Sequence, residues 1–305
     1  MKGILLAFFG AGMFALPVGV QAGTFSITDN FDSYATDAFI TDDSNWTTTD
    51  LWQNNGVIAR DSGQAGWLGG LYDGPTTATT YLTRGFDAQD NNRFTFRWIQ
   101  NIANATSDDG IRDKFGWTVK SAAGANLLTL MFDNVSLTGS NLLAKGYSGS
   151  LAGTLQSSTG LGLSNRGEWA QFEIVLDTAA NSWTASLFNA AANGGAGAWQ
   201  TFIHNGAVDG TGYTVGGISA VWDLADKTTL ISQRLQDHDN DPTTPDQLTP
   251  IKLQDGTPVS LYSGAGQNIM MFDNLSISGV PEPSSLSLLT FGALALLAAR
   301  RRSRS

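Results

Sequence analysis

The sequence predicts an all-β protein, an antiparallel β-sandwich, with an N-terminal signal peptide and a single C-terminal transmembrane helix at its ends. Three observations carry this. Short segments of alternating polarity recur between turns rich in Gly, Asn and Asp. Between Gly23 and Val280 no long stretch repeats apolar residues at helical spacing. The continuous apolar runs are confined to the two ends of the chain. Strands at this density, without interleaved helices, build a sandwich or a barrel.

The first element is a leader. Lys2 is a minimal basic region, Ile4 to Val18 is apolar, and Gly10, Gly12 and Pro17 fall towards its end. Val20-Gln21-Ala22 closes on a small residue, which places cleavage after Ala22. Residues 1–22 are therefore expected to engage the Sec export machinery and a signal peptidase.

The strands follow. In Arg93 to Trp98, Phe94, Phe96 and Trp98 face one way and Arg93, Thr95 and Arg97 the other. Lys114 to Lys120 puts Phe115, Trp117 and Val119 on one face. Leu127 to Leu137 reads as a longer strand with a kink at Asp133-Asn134. Phe172, Ile174 and Leu176 form an inward row, Asp177 to Asn181 turns, and Ser182 to Phe188 returns with Trp183, Ala185 and Leu187 inward. Trp199 to His204, Tyr213 to Trp222 and Ile269 to Ile277 complete the set. Asp226 to Gly266, rich in Asp, Thr, Gln and Pro, reads as a surface insertion of a length that is usually functional or mobile. The domain is thus expected over 23–279, with the insertion at about 226–266 and a separate segment over 280–305.

One internal echo stands out. Met131-Phe132-Asp133-Asn134-Val135-Ser136-Leu137 matches Met271-Phe272-Asp273-Asn274-Leu275-Ser276-Ile277, while the flanking sequences do not match. The reading is two strands meeting the same local demand, not a duplicated domain.

The C-terminal segment has three parts: Pro281-Glu282-Pro283, an apolar run from Leu286 to Ala299, and the basic residues Arg300, Arg301, Arg302 and Arg304. Ser284 to Ala299 is uncharged, 16 residues. As a helix it reaches roughly 24 Å, a short span for a hydrocarbon core of about 30 Å, helped by flanking residues and local thinning. The arginines stay on the cytoplasmic side. The two prolines keep the preceding stretch extended, the form a processing enzyme takes into its cleft.

This order resembles the PEP-CTERM sorting signal of Gram-negative bacteria. The resemblance covers the last tenth of the chain. It implies recognition by an exosortase, a membrane transpeptidase-like enzyme, removal of the tail, and a link to extracellular polysaccharide or biofilm. A second, looser resemblance spans the domain. Asp29-Asn30-Phe31-Asp32 opens it, Phe272 to Ile277 closes it, and Trp169, Phe172, Ile174, Leu176 and Asp177 lead the hairpin to Trp183. This looks like the concanavalin A-like jelly roll of laminin-G-type domains and many carbohydrate-binding modules, and implies pairing of first and last strands.

Charge excludes some partners. The chain has 17 basic and 27 acidic residues. Lys2 and the four arginines lie in the leader and tail, as does Glu282, so the part between holds 12 basic and 26 acidic residues, a net charge of −14. Such a surface repels nucleic acid and anionic lipid and attracts cations. With no cysteine, an exported chain of this kind relies on its core, and on any cation it binds.

Candidate sites are few. Asp237, Asp239 and Asp241 alternate along an extended loop and offer hard oxygen ligands suited to Ca²⁺, although Pro242 and Leu248 rule out an EF-hand loop. Asp29 or Asp32 with Asp273 is a second calcium candidate if the terminal strands pair; the alternative is capping of turns. Trp46, Trp52, Trp67 and Trp199 lie near turns and are candidates for stacking on sugars, whereas Trp98, Trp117 and Trp183 read as core. The domain has only two glutamates, Glu168 and Glu173, five apart and on opposite faces of one strand, so they make no glycosidase pair. His204 and His238 lack metal-ligand spacing, and no G-x-S-x-G occurs. The expectation is a non-enzymatic surface or matrix protein. A calcium-assisted carbohydrate-binding module is the alternative, with a polysaccharide hydrolase or lyase third.

Overall fold

The computed structural model describes residues 24–36, 38–49, 55–60, 63–70, 79–103, 114–134, 142–161, 169–192, 195–223 and 268–280. The leader, Trp52, Glu168, the insertion with Asp237, Asp239 and Asp241, and the tail from Pro281 lie outside them. Among the described residues no helix is long and apolar enough to cross a membrane.

The strands in chain order are β1 (Phe25–Asp29), β2 (Trp46–Thr48), β3 (Asn55–Arg60), β4 (Gly63–Gly70), β5 (Thr79–Gln89), β6 (Arg93–Ala103), β7 (Lys114–Ser121), β8 (Asn126–Asn134), β9 (Leu142–Ser148), β10 (Leu155–Gly160), β11 (Ala170–Asp177), β12 (Ser182–Asn189), β13 (Ala198–Ala207), β14 (Val215–Asp223) and β15 (Asn268–Val280). A single short 3₁₀ turn, Ile40–Asp42, is the only helical element among the described residues. The strands form two antiparallel sheets. One runs β13-β12-β11-β6-β15-β4-β3, with β1 also on β15; the other runs β10-β9-β8-β7-β14-β5-β2. First and last strands pair as expected, Phe25 opposite Gly279 through Asp29 opposite Leu275. The all-β antiparallel sandwich read from the sequence is the fold observed.

The inward rows read from alternation fill the space between the sheets. Phe94, Phe96 and Trp98 of β6 and Phe172, Ile174 and Leu176 of β11 meet Phe115, Trp117 and Val119 of β7 in one buried cluster. Fully burying a side chain of this size contributes about 1.5–3 kcal/mol. Trp98 and Trp117, from opposite sheets, lie 4.9 Å apart by ring centroids. Both indole N–H groups donate to the same Oε1 of buried Gln100, at 2.7 and 2.8 Å. A Gln at an apolar position is the polar anchor that lets two tryptophans sit in the core with their donors satisfied.

The echo has a structural counterpart. Phe132 lies in β8 of one sheet and Phe272 in β15 of the other, and both point into the core. Met131 and Asp133, Met271 and Asp273 take the opposite faces, and all four are buried. Of the strand expected over Leu127 to Leu137, Val135 to Leu137 lie outside the described residues, and up to Asn134 no kink is found. The β8–β9 ladder runs without a shift to Asn134 opposite Leu142. The irregularity falls instead in the second copy, where the register shifts between Asp273 and Ser276 and Asn274 takes φ 53°. A left-handed Asn absorbs one extra residue, which returns Leu275 and Ile277 to the core side.

Several strands carried no clear alternation. The β3–β4 hairpin is rich in glycine. A Cβ at Gly66 would stand 2.9 Å from Ile40 Cδ1 and from Phe272 Cε2, so close approach replaces the apolar signal. The inner row of β5 is Thr80, Leu82 and Arg84, set opposite Trp222, Ala220 and Ile218; polar residues at core positions hide its pattern. β10 is a mostly exposed edge strand, joined to the other sheet by Gln156 Oε1, which accepts the Ala207 N–H at 3.1 Å.

Candidate functional site

Asp29 turns inward at the end of β1. Its Oδ2 accepts the Trp46 Nε1–H at 2.9 Å and lies 3.0 Å from the Tyr34 hydroxyl; its Oδ1 accepts the Phe31 N–H. Arg84 Nε approaches Oδ2 at 3.9 Å. The Tyr34 hydroxyl is also 2.8 Å from Asp43 Oδ2. One phenolic proton serves two carboxylates, so it is donated to one of them at a time. Burial, with Asp43 and Asp29 alongside, pushes the Tyr34 phenol far up. Burial by itself would raise the Asp43 carboxyl. The Asn45 backbone N–H, the Tyr34 hydroxyl, the Asn45 amide and the Arg84 charge outweigh it and hold Asp43 below the usual carboxylate range.

A lowered folded-state value stabilises the fold above the unfolded carboxyl's pKa of about 3.9 and is lost as pH falls through the folded value. Asp43→Asn is therefore expected to lower Tm at neutral pH, with the gap to the wild type closing as pH drops below about 4. Thermal melts across that range check it; a gap that stays constant with pH would contradict the assignment.

At the terminal strands the structure separates two of the calcium candidates, Asp29 and Asp273. The strands pair, but Asp29 faces the core with Trp46, whereas Asp273 follows inward-facing Phe272 and so takes the outer face. Asp273 Oδ1 accepts the Asn274 N–H. Asp32 is used differently again: its Oδ1 accepts the Gln64 N–H and its Oδ2 the Asn30 amide, tying the chain after β1 to β4. Asp29 and Asp273 therefore do not face one ion. Among the described residues no group of three or more His, Cys, Asp or Glu could hold a metal.

The tryptophan candidates divide. Trp46 is a core residue, 1% exposed, its ring against Phe31 and Phe272 and its N–H spent on Asp29. Trp67 is 6% exposed and packs with Ile269 and Met271 on the outer face of its sheet. Neither offers a free ring face, because proximity to a turn in sequence does not fix which side of the strand a residue takes. Trp199 is different. It is partly exposed, with Phe188 at its edge (centroids 5.4 Å apart) and the Arg97 guanidinium 5.4 Å over its ring. Arg97 also donates from Nε and Nη2 to Glu173 Oε2, at 2.7 and 2.6 Å. Trp98, Trp117 and Trp183 are core, as expected.

A second polar cluster went unmarked in the sequence. On the outer face of the other sheet, buried Asp133 accepts a hydrogen bond from Lys145 and stands 3.9 Å from Lys114. That bond, opposed by burial and helped by the Asp133 charge, raises Lys145. Asp223 lies on the next strand over, between Lys114 and Thr79 in register, and accepts the Thr79 hydroxyl. The shared Met-Phe-Asp-Asn was the one sequence signal for Asp133.

The fold so defined is a two-sheet antiparallel sandwich whose last interior strand ends at Val280. Residues 279–302, from the last two residues of that strand onwards, match the PEP-CTERM protein-sorting motif, the family model for exosortase-directed sorting. The chain therefore carries the sorting motif that implies exosortase handling and export. No curated protein matches the sequence. Among solved structures, a sialidase matches with TM-score 0.47 at 13% identity over 87% of this chain, which spans only 19% of that enzyme. Basic winged bean lectin, solved with Tn-antigen, matches at TM-score 0.46 and 11% identity, over 84% of this chain and 98% of the lectin. The CBM2 module of the evolved Dit of Lactobacillus casei BL23 phage J-1 matches at TM-score 0.44 and 13% identity, over 86% and 98%. With each below 0.5, the architecture stands on the strand order and registers.

Proposed function

We propose that this chain is an exported surface or extracellular-matrix protein of a Gram-negative bacterium, sorted by an exosortase through its tail. In this reading it passes through a membrane-anchored intermediate, and its sandwich is a non-enzymatic component associated with exopolysaccharide or biofilm. The observation that carries it is the sorting motif at 279–302, set directly on the end of the last strand. The shortage of catalytic groups supports the non-enzymatic part. Of the two domain glutamates, Glu173 is committed to Arg97.

Carbohydrate binding is the second reading, favoured by one observation: Trp199, partly exposed beside the Arg97–Glu173 pair, presents an aromatic and hydrogen-bonding surface of the kind that stacks on a sugar ring. A panel of polysaccharides, run on the purified Gly23–Val280 domain with and without Ca²⁺, separates the readings. The non-enzymatic matrix reading expects no release of reducing or unsaturated ends, and their appearance would overturn it. Binding that Trp199→Ala weakens about tenfold or more, a loss of roughly 1.4 kcal/mol, supports the carbohydrate-binding reading. Loss of that binding in EDTA would bring in Asp237, Asp239 and Asp241 as the calcium loop.

A further inference from the structure

The sorting motif and the sandwich share residues. The motif begins at Gly279, and Gly279 and Val280 are the last two residues of β15, an interior strand. Gly279 is paired on both sides, with Phe25 of β1 and Phe94 of β6, and Val280 is paired with Arg93. Beyond Val280 only Pro281, Glu282 and Pro283 precede the uncharged run from Ser284, a reach of at most about 10 Å.

We propose that the sandwich gates its own sorting: residues Ser278 to Val280 must leave the sheet before an exosortase can take the Pro-Glu-Pro segment. The inference rests on the sorting reading above and adds a regulatory step to it. Extended peptides are commonly recognised by pairing their backbone as an added strand on a sheet edge. Within Pro281-Glu282-Pro283 only Glu282 has a backbone N–H. Pairing of that kind then draws on flanking residues; Ser284 and Ser285 follow at the start of the uncharged run, and upstream the sheet already holds the chain.

The strand end is built to open and to stop. Val280 is 53% exposed and Gly279 has no side chain, so releasing them forfeits little apolar burial. Ile277 is 0% exposed and paired with Ile27 and Phe96, and it holds the rest of β15 in place. The closing contact is at Gly279. A Cβ there would stand 2.9 Å from Asn91 Cγ, in a side chain itself 2% exposed. Gly279→Ala therefore pushes the strand end outward while leaving 281–305 unchanged.

The test follows tail removal by pulse-chase in cells that carry the exosortase, using the full-length chain. A flexible Gly-Ser linker of about eight residues, ~15 Å on average, is placed between Val280 and Pro281. It is expected to speed tail removal roughly tenfold, the factor for an opening cost of about 1.4 kcal/mol. Gly279→Ala is expected to speed it as well, and Gly279→Ala with Asn91→Ala to return it towards wild type. Tryptophan fluorescence checks that each sandwich is folded. Should Gly279→Ala not fold, the linker variant decides, since it alters no sandwich residue. Equal or slower removal with the linker overturns the gate and leaves the sorting reading intact. A wild type and linker variant that both keep their tails overturn the sorting reading, and the gate with it.

Discussion

Deleting Leu286 to Ser305 is expected to move the protein from the membrane fraction to the soluble one. The deleted segment contains six leucines and one phenylalanine within 14 residues, with no charge before Arg300. Leu and Phe at the centre of a span each favour insertion by about 0.3–0.6 kcal/mol, and Arg opposes it by about 2.5–3.5. The apolar run is favourable in a membrane only with the four arginines in water, and the bias of Arg towards the cytoplasm would then put the sandwich on the other side. The deletion removes both halves of that arrangement and leaves the sandwich strands, through Val280, complete. Fractionation after a high-pH wash checks the result. Full retention in the membrane would place the anchor elsewhere and sink the assignment.

Phe272→Ala is expected to cost about 3–5 kcal/mol, the range for emptying a buried Phe site. Its ring stands edge-on to Trp117 at 5.1 Å and to Phe31 at 5.4 Å, and 6.1 Å from Trp46. The site therefore joins β15 to the opposite sheet and to the chain after β1. Gly66, whose missing side chain admits the Phe272 ring, has no atom with which to fill the space. For a domain of this size the loss is about 10 °C in Tm. Val280→Ala, on the same strand but 53% exposed, is expected to change stability by less than about 0.5 kcal/mol. Chemical denaturation of the two variants makes the comparison; equal effects would show that the burial assigned along β15 is wrong.

What was legible in the sequence was what a single strand can encode. Alternation in β6, β7, β11 and β12 identified the inward rows because each strand buries one face and each residue's side follows from its neighbours. The tail was legible for a similar reason: an apolar run, its prolines and its arginines are contiguous. Trp46 and Trp67 were misread as ligand candidates because exposure depends on what packs opposite. For Trp46 that is Phe31, Phe272 and the Asp29 carboxylate, from β15 and the chain near β1.

The remaining clusters needed the topology. Asp29, Tyr34, Asp43 and Arg84 meet because β1 and β5 lie in facing sheets. Lys114, Asp133 and Lys145 meet because β7, β8 and β9 are neighbours in register. Nothing in the local pattern states which outward face a charge will share.

The sequence by itself determined the fold class, the inward rows and the sorting motif, since each rests on local periodicity or on contiguous residues. Only the tertiary structure decided that Asp29 and Asp273 stand on opposite faces, that Trp199 is left partly open, and that the motif begins inside a paired interior strand. Those are relations between distant segments, and they are set by strand order and register, which no single segment carries.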